Sequence, residues 1–192
     1  MLVHGITESR HSWDPLIASL ALEYRVVAVD LRGHGESERR APYDVTTMAV
    51  DLRAVIDAVG VADPLVVGHS LGGAVVSLYA ASNPVRGVVN VDQPLDLGGF
   101  KELLAPLESS LRGDEATFLS VIHQIFESLY GALPPAERAR LASHSHPEQQ
   151  VVLGIWDLIF TASNVELDRL IRNACDAITA PYLSLHGVDP GP

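Results

Sequence analysis

The chain has 192 residues, 47% of them hydrophobic and 19% charged, a formal net charge of -11 and one cysteine, Cys175. That length suits a single domain with a real apolar core, and the charge content is too low for a disordered chain. The acidic balance disfavours nucleic acid and membranes as partners and leaves a small-molecule substrate open; a single cysteine excludes an internal disulfide and fits a cytoplasmic protein.

Taken in chain order, short apolar runs alternate with helical patterns. Leu2-Val3-His4-Gly5-Ile6 is an apolar run followed by a sharp turn. Asp14-Pro15 reads as an N-cap with proline at the first helical position. Val26-Val27-Ala28-Val29 runs into Asp30, and Leu52, Val55, Ile56 and Val59 keep helical spacing up to a stop at Gly60. Leu65-Val66-Val67, between Pro64 and Gly68, is the next apolar run, and an amphipathic helix follows over residues 71–81. Val88-Val89-Asn90-Val91 ends at Asp92. From about Leu95 to Asp176 only helical stretches appear: residues 100–111, 114–130, 135–143, 148–161 and 165–175. Tyr182-Leu183-Ser184-Leu185 closes the series. Unbroken apolar runs separated by helices predict a parallel, doubly wound α/β sheet, with the chemistry just beyond the carboxyl ends of its strands. The expected divisions are a first core part (residues 1–94), a helical insertion (95–178) and a core strand after it (179–192). No basic, apolar leader opens the chain, and no apolar run nears the roughly 20 residues that span a bilayer.

Gly68-His69-Ser70-Leu71-Gly72-Gly73 matches G-x-S-x-G. A match of this kind arises by chance in about one chain of this length in fifteen, so its place between a strand and an amphipathic helix carries the argument. There it predicts a tight turn that lifts the Ser70 hydroxyl above the sheet as a nucleophile. An oxyanion hole needs two backbone N–H groups aimed at one developing charge. Leu71, at a helix start, supplies one, and Ile6, after His4-Gly5, is the natural second. His4 reads as a structural hydrogen-bonder, and Trp13 as either core or the wall of an acyl pocket. His4, Gly5, Trp13 and His69 make up the candidate pocket.

With Asp30-Leu31-Arg32-Gly33-His34-Gly35-Glu36-Ser37 added, the chain resembles the α/β-hydrolase superfamily, in the branch with an HG oxyanion turn, a D-x-R-G-x-G-x-S loop and a GHSxGG elbow. The resemblance implies that the D-x-R-G loop is structural, that His69 packs in the elbow, and that the helical insertion is a cap over the active site. It implies a triad in the order serine, acid, histidine. Asp189, after the strand that follows the cap, stands at the usual place for the acid, although one residue rather than two separates it from Gly187. Asp92 is the alternative acid. His123, His144, His146 and His186 do not match the family's histidine position, and His144-x-His146 has no further ligand pattern for a metal. The chain opens inside its first strand and stops three residues after Asp189. The expectation is therefore a fragment whose last strand, helix and catalytic histidine lie outside it, and which is marginally stable alone.

The implied activity is cofactor-free hydrolysis of a small apolar ester or related acyl compound through an acyl-enzyme. Serine at the elbow argues against relatives that use aspartate there, such as epoxide hydrolases. Carbon–carbon bond hydrolases and cofactor-free haloperoxidases (perhydrolases) share the elbow and stay open, as does a non-catalytic ligand-binding protein on the same fold.

Overall fold

The apolar runs pair side by side. The computed structural model describes residues 1–129 and 133–187. Among them, β1 (Leu2–Val3), β2 (Ala28–Val29), β3 (Leu65–His69), β4 (Gly87–Val91) and β5 (Tyr182–Leu185) form one sheet in the order β2-β1-β3-β4-β5. Every neighbouring pair is parallel. From β1 the chain first moves to β2 on one side and then to β3 on the other. The switch point, where open parallel sheets take their ligands, therefore lies between the carboxyl ends of β1 and β3. Register places Val3 beside Gly68, and His69 beside Val91, which in turn faces Leu185.

Helix α1 (Asp14–Leu20) follows a 3-10 turn over Arg10–Trp13, so Asp14 is not the cap expected for it. Its carboxylate instead meets His11 Nδ1 at 3.0 Å, because the preceding turn already continues the helix backward. Helix α2 (Val45–Val59) is capped by Asp44 and ends at Gly60, which takes the left-handed conformation at φ 66°. Helix α3 (Leu71–Ala80) leaves β3 directly and packs on β1, β3 and β4, with α2 against it.

Between β4 and β5 come α4 (Gly98–Leu104), α5 (Glu108–Leu111), α6 (Glu115–Leu129), α7 (Pro135–Ser143), α8 (Gln149–Thr161) and α9 (Asn164–Ala177). The single helix expected over residues 100–111 is split by a 3-10 turn at Ala105–Leu107. Pro106 there has no N–H to continue the ladder. The expected end of the next helix, Tyr130, lies outside the described residues.

One continuous apolar cluster joins sheet and insertion, from Val3, Val66, Val75 and Val88 to Leu104, Phe118, Ile122, Trp156 and Leu167. Phe118 and Trp156 are buried there, Phe100 meets Trp156 edge-on at 5.8 Å, and Phe126 and Phe160 pack partly buried at its margin. The opposite sheet face is open at β5: Leu183 is 52% and Leu185 46% exposed. Among the described residues, no helix is long and apolar enough to cross a membrane.

Candidate active site

At the end of β3 the chain must turn from strand to helix within one residue. Ser70 makes that turn with φ 47° and ψ -119°, a conformation costing about 1–3 kcal/mol for a residue with a side chain. The strain rests on the serine, while the flanking glycines provide close approach. A Cβ on Gly68 would lie 2.1 Å from the Gly72 carbonyl oxygen, and one on Gly72 would lie 2.3 Å from that of Val3. Two hydrogen bonds lock the turn, Ser70 N–H to Val91 O at 2.9 Å and Gly73 N–H to Ser70 O at 2.7 Å. The Ser70 side chain does not cap α3 and stays half-exposed. Leu71 opens the helix, where N–H groups have no intrahelical partner, and its own N–H is uncommitted among the described residues.

The turn after β1 lies alongside. The His4 side chain is fully buried, and both ring nitrogens are engaged. Nδ1 donates to Gly5 O at 2.7 Å, and Nε2 accepts the Leu31 N–H at 3.0 Å. Burial holds its pKa below the ordinary imidazole value, so the ring stays neutral. His4 therefore supports the turn from beneath and does not line a pocket. Because a peptide unit is planar and trans, gripping Gly5 O aims the N–H of Ile6 the opposite way. That N–H, like the one on Thr7, is uncommitted among the described residues, whereas those of Gly5 and Glu8 are taken. Thr7 stands at φ 62°. Trp13 is only 6% exposed and stands outside the main apolar cluster.

Glu8 went unnoticed in the sequence. Its Oε2 accepts the Gly5 N–H at 3.0 Å, and Oε1 lies 3.2 Å from His69 Nδ1. The legible signal was a carboxylate three residues after Gly5, the reach-back spacing of a capping box. The D-x-R-G loop is tied within itself and to its neighbours: Asp30 accepts from Arg10 and from the Glu36 N–H at 3.0 Å, and Arg32 clasps Asp51 in α2 through two 2.7 Å bonds. The helical stretch reaches the same turn, with His146 N–H bonded to Thr7 O at 3.0 Å and Ser145 Oγ to Thr7 Oγ1 at 3.2 Å.

Asp92 follows β4 as Ser70 follows β3, each one residue beyond the paired His69 and Val91, and takes φ 59°. Its Oδ1 accepts the Gly187 N–H at 3.2 Å. Asp189 lies outside the described residues. The described histidines have other company: His11 pairs with Asp14 and stacks on His144 at 4.7 Å, His34 bonds Arg32 O, and His186 bonds Ser184. Exposed His123 and His146 lie in the helical stretch. Among the described residues, no group of three or more His, Cys, Asp or Glu is placed to hold a metal.

A strained serine between strand and helix, set at the switch point of a parallel sheet, is the geometry of a nucleophile elbow on an α/β protein. The alpha/beta hydrolase fold family is the one whose model matches, over residues 1–163, and the chain belongs to it. It is 38% identical to the magnesium-chelatase 30 kDa subunit of Rhodobacter capsulatus over 98 residues, covering 50% of this chain and 34% of that protein. It is 34% identical to protein phosphatase methylesterase 1 of Bos taurus over 152 residues, covering 74% of this chain and 40% of that protein. The chain thus spans about a third to two fifths of these relatives' lengths. The fold is shared with a hydrolase of Pseudomonas aeruginosa PA01, at TM-score 0.76 and 21% identity, covering 97% of this chain and 70% of that one.

Proposed function

We propose that the full-length protein is a serine hydrolase that cleaves a small apolar ester or related acyl compound, with Ser70 as nucleophile. The observation that carries this reading is Ser70 itself, held at φ 47° with the uncommitted N–H of Leu71 next to it and the Gly5–Ile6 turn beside it. A non-glycine residue kept in such a conformation points to function rather than to packing. The likeness to a methylesterase supports an ester as the class of substrate.

In this reading Ser70 Oγ attacks the acyl carbon and its proton passes to a histidine. The N–H groups of Leu71 and Ile6 stabilise the oxyanion, the alcohol leaves with the returned proton, and water then releases the acid. Asp92 or Asp189 orients that histidine. In this reading the histidine is a residue of the full-length protein beyond the described ones, since no described histidine is hydrogen-bonded to Ser70 or to Asp92. A fluorophosphonate probe tests the reading. Ser70 of the full-length protein is expected to be labelled, and Ser70→Ala to abolish labelling without changing the melting temperature by more than a few degrees. A folded protein that resists the probe is a ligand-binding relative instead.

A further inference from the structure

We propose that Glu8 is a positioning residue whose carboxylate ties the oxyanion turn to the nucleophile elbow and so fixes the Ile6 N–H relative to Ser70. The inference rests on the serine-hydrolase reading above and concerns the geometry of its oxyanion site. One carboxylate spans the residues immediately before the two that matter. Glu8 Oε2 holds the N–H of Gly5, which precedes Ile6, and lies 3.3 Å from Nδ1 of His69, which precedes Ser70. The two segments are already in van der Waals contact, since a Cβ on Gly5 would come within 2.9 Å of His69 Nδ1. His4 holds the carbonyl on the other side of Gly5. The two peptide units flanking Gly5 are thus gripped separately, one by Glu8 through its N–H and one by His4 through its C=O. Sheet pairing cannot do this, because the β1–β3 register ends at Val3 and Gly68.

The electrostatics agree with the geometry. Burial alone would push the Glu8 carboxyl up, but the hydrogen bond and charge of His69, the Gly5 N–H and the Ser12 hydroxyl outweigh it and hold it at about 2. Burial alone would push His69 down, yet the Glu8 hydrogen bond and charge, with Asp92 adding, raise it above the ordinary imidazole value. Among the described residues, Glu8, Asp92 and the neutral ring of His4 are the titratable groups facing His69. Each partner thus favours the charged form of the other, and charge-assisted hydrogen bonds are the stronger kind.

The test uses the full-length protein, a fluorophosphonate probe, and the rate of Ser70 labelling from pH 5 to 9. Glu8→Ala is expected to label about tenfold more slowly or worse at pH 7, since small displacements of an oxyanion donor cost that much. Glu8→Gln keeps an acceptor for the Gly5 N–H and is expected to recover part of the rate. Its His69 ring, followed by NMR, is expected to titrate at lower pH than in the wild type, and the labelling profile to move with it. Wild-type labelling in Glu8→Ala overturns the inference. So does a rate loss equal in both variants that leaves the His69 titration unmoved, which is a plain structural role. If Glu8→Ala does not fold, Glu8→Gln decides by the same titration. A wild type that the probe does not label overturns the serine-hydrolase reading, and this role with it, whereas a labelled wild type with indifferent variants overturns this role alone.

Discussion

His34 is 3% exposed, with Nδ1 donating to Arg32 O at 3.0 Å, no partner for Nε2 among the described residues, and the His4 ring 5.1 Å away. Burial pushes its pKa down to about 4, while the unfolded chain keeps an imidazole near 6.5. The unfolded state therefore binds the extra proton between these values, and stability falls as pH drops from about 6.5 towards 4. The loss approaches roughly 3 kcal/mol below that window. His4 contributes in the same direction. His69 has its pKa raised, so its contribution is present at low pH and fades only as pH rises above the ordinary imidazole range. Urea unfolding of the full-length protein at pH 7, 5.5 and 4.5 checks this, with His34→Asn expected to flatten the slope. A stability that rises on acidification to pH 4.5 would contradict it.

At the scale of elements, the helix ends carry the measurable terms. Asp44 Oδ1 accepts the Thr47 N–H at 2.8 Å and Oδ2 accepts the Thr47 hydroxyl at 2.7 Å, closing the start of α2. Asp44→Ala is expected to cost about 1 kcal/mol, read as a lower urea midpoint with unchanged slope. Because α2 packs on α3, whose first residue is Leu71, a larger loss would show that the cap also holds the elbow helix in place. Ser163 and Glu166 form a full capping box at α9, a spacing open to reading from sequence. The break between α4 and α5 was equally open to reading, since Pro106 cannot continue an α-helical ladder.

At the scale of the molecule, the described sheet is lopsided. Val66, Val88 and Asn90 face a covered side, while Leu65, Leu183 and Leu185 are 41%, 52% and 46% exposed on the other. Apolar residues on an edge strand invite pairing with another chain. Expressed as these 192 residues alone, the protein is expected to associate at micromolar concentration and to bind an apolar dye. The double substitution Leu183→Thr with Leu185→Lys should reduce both. A sharp, reversible thermal transition from a monomer, measured beside light scattering, is the outcome that counts against this expectation.

Glycine, serine and short apolar runs act locally, and what they determine was readable in the chain itself. The alternation of runs and helical spacing specified a parallel sheet, and G-x-S-x-G with the His-Gly turn specified where its two functional bends lie. Periodicity and turn chemistry depend on near neighbours in sequence, so no partner had to be known. The strained angle of Ser70, the buried support of His4 under Gly5, and the reach of Glu8 to a histidine 61 residues away were decided only by the tertiary structure. Each depends on which strands lie side by side. Sheet order is set by crossovers and burial over the whole chain, and no single segment carries it.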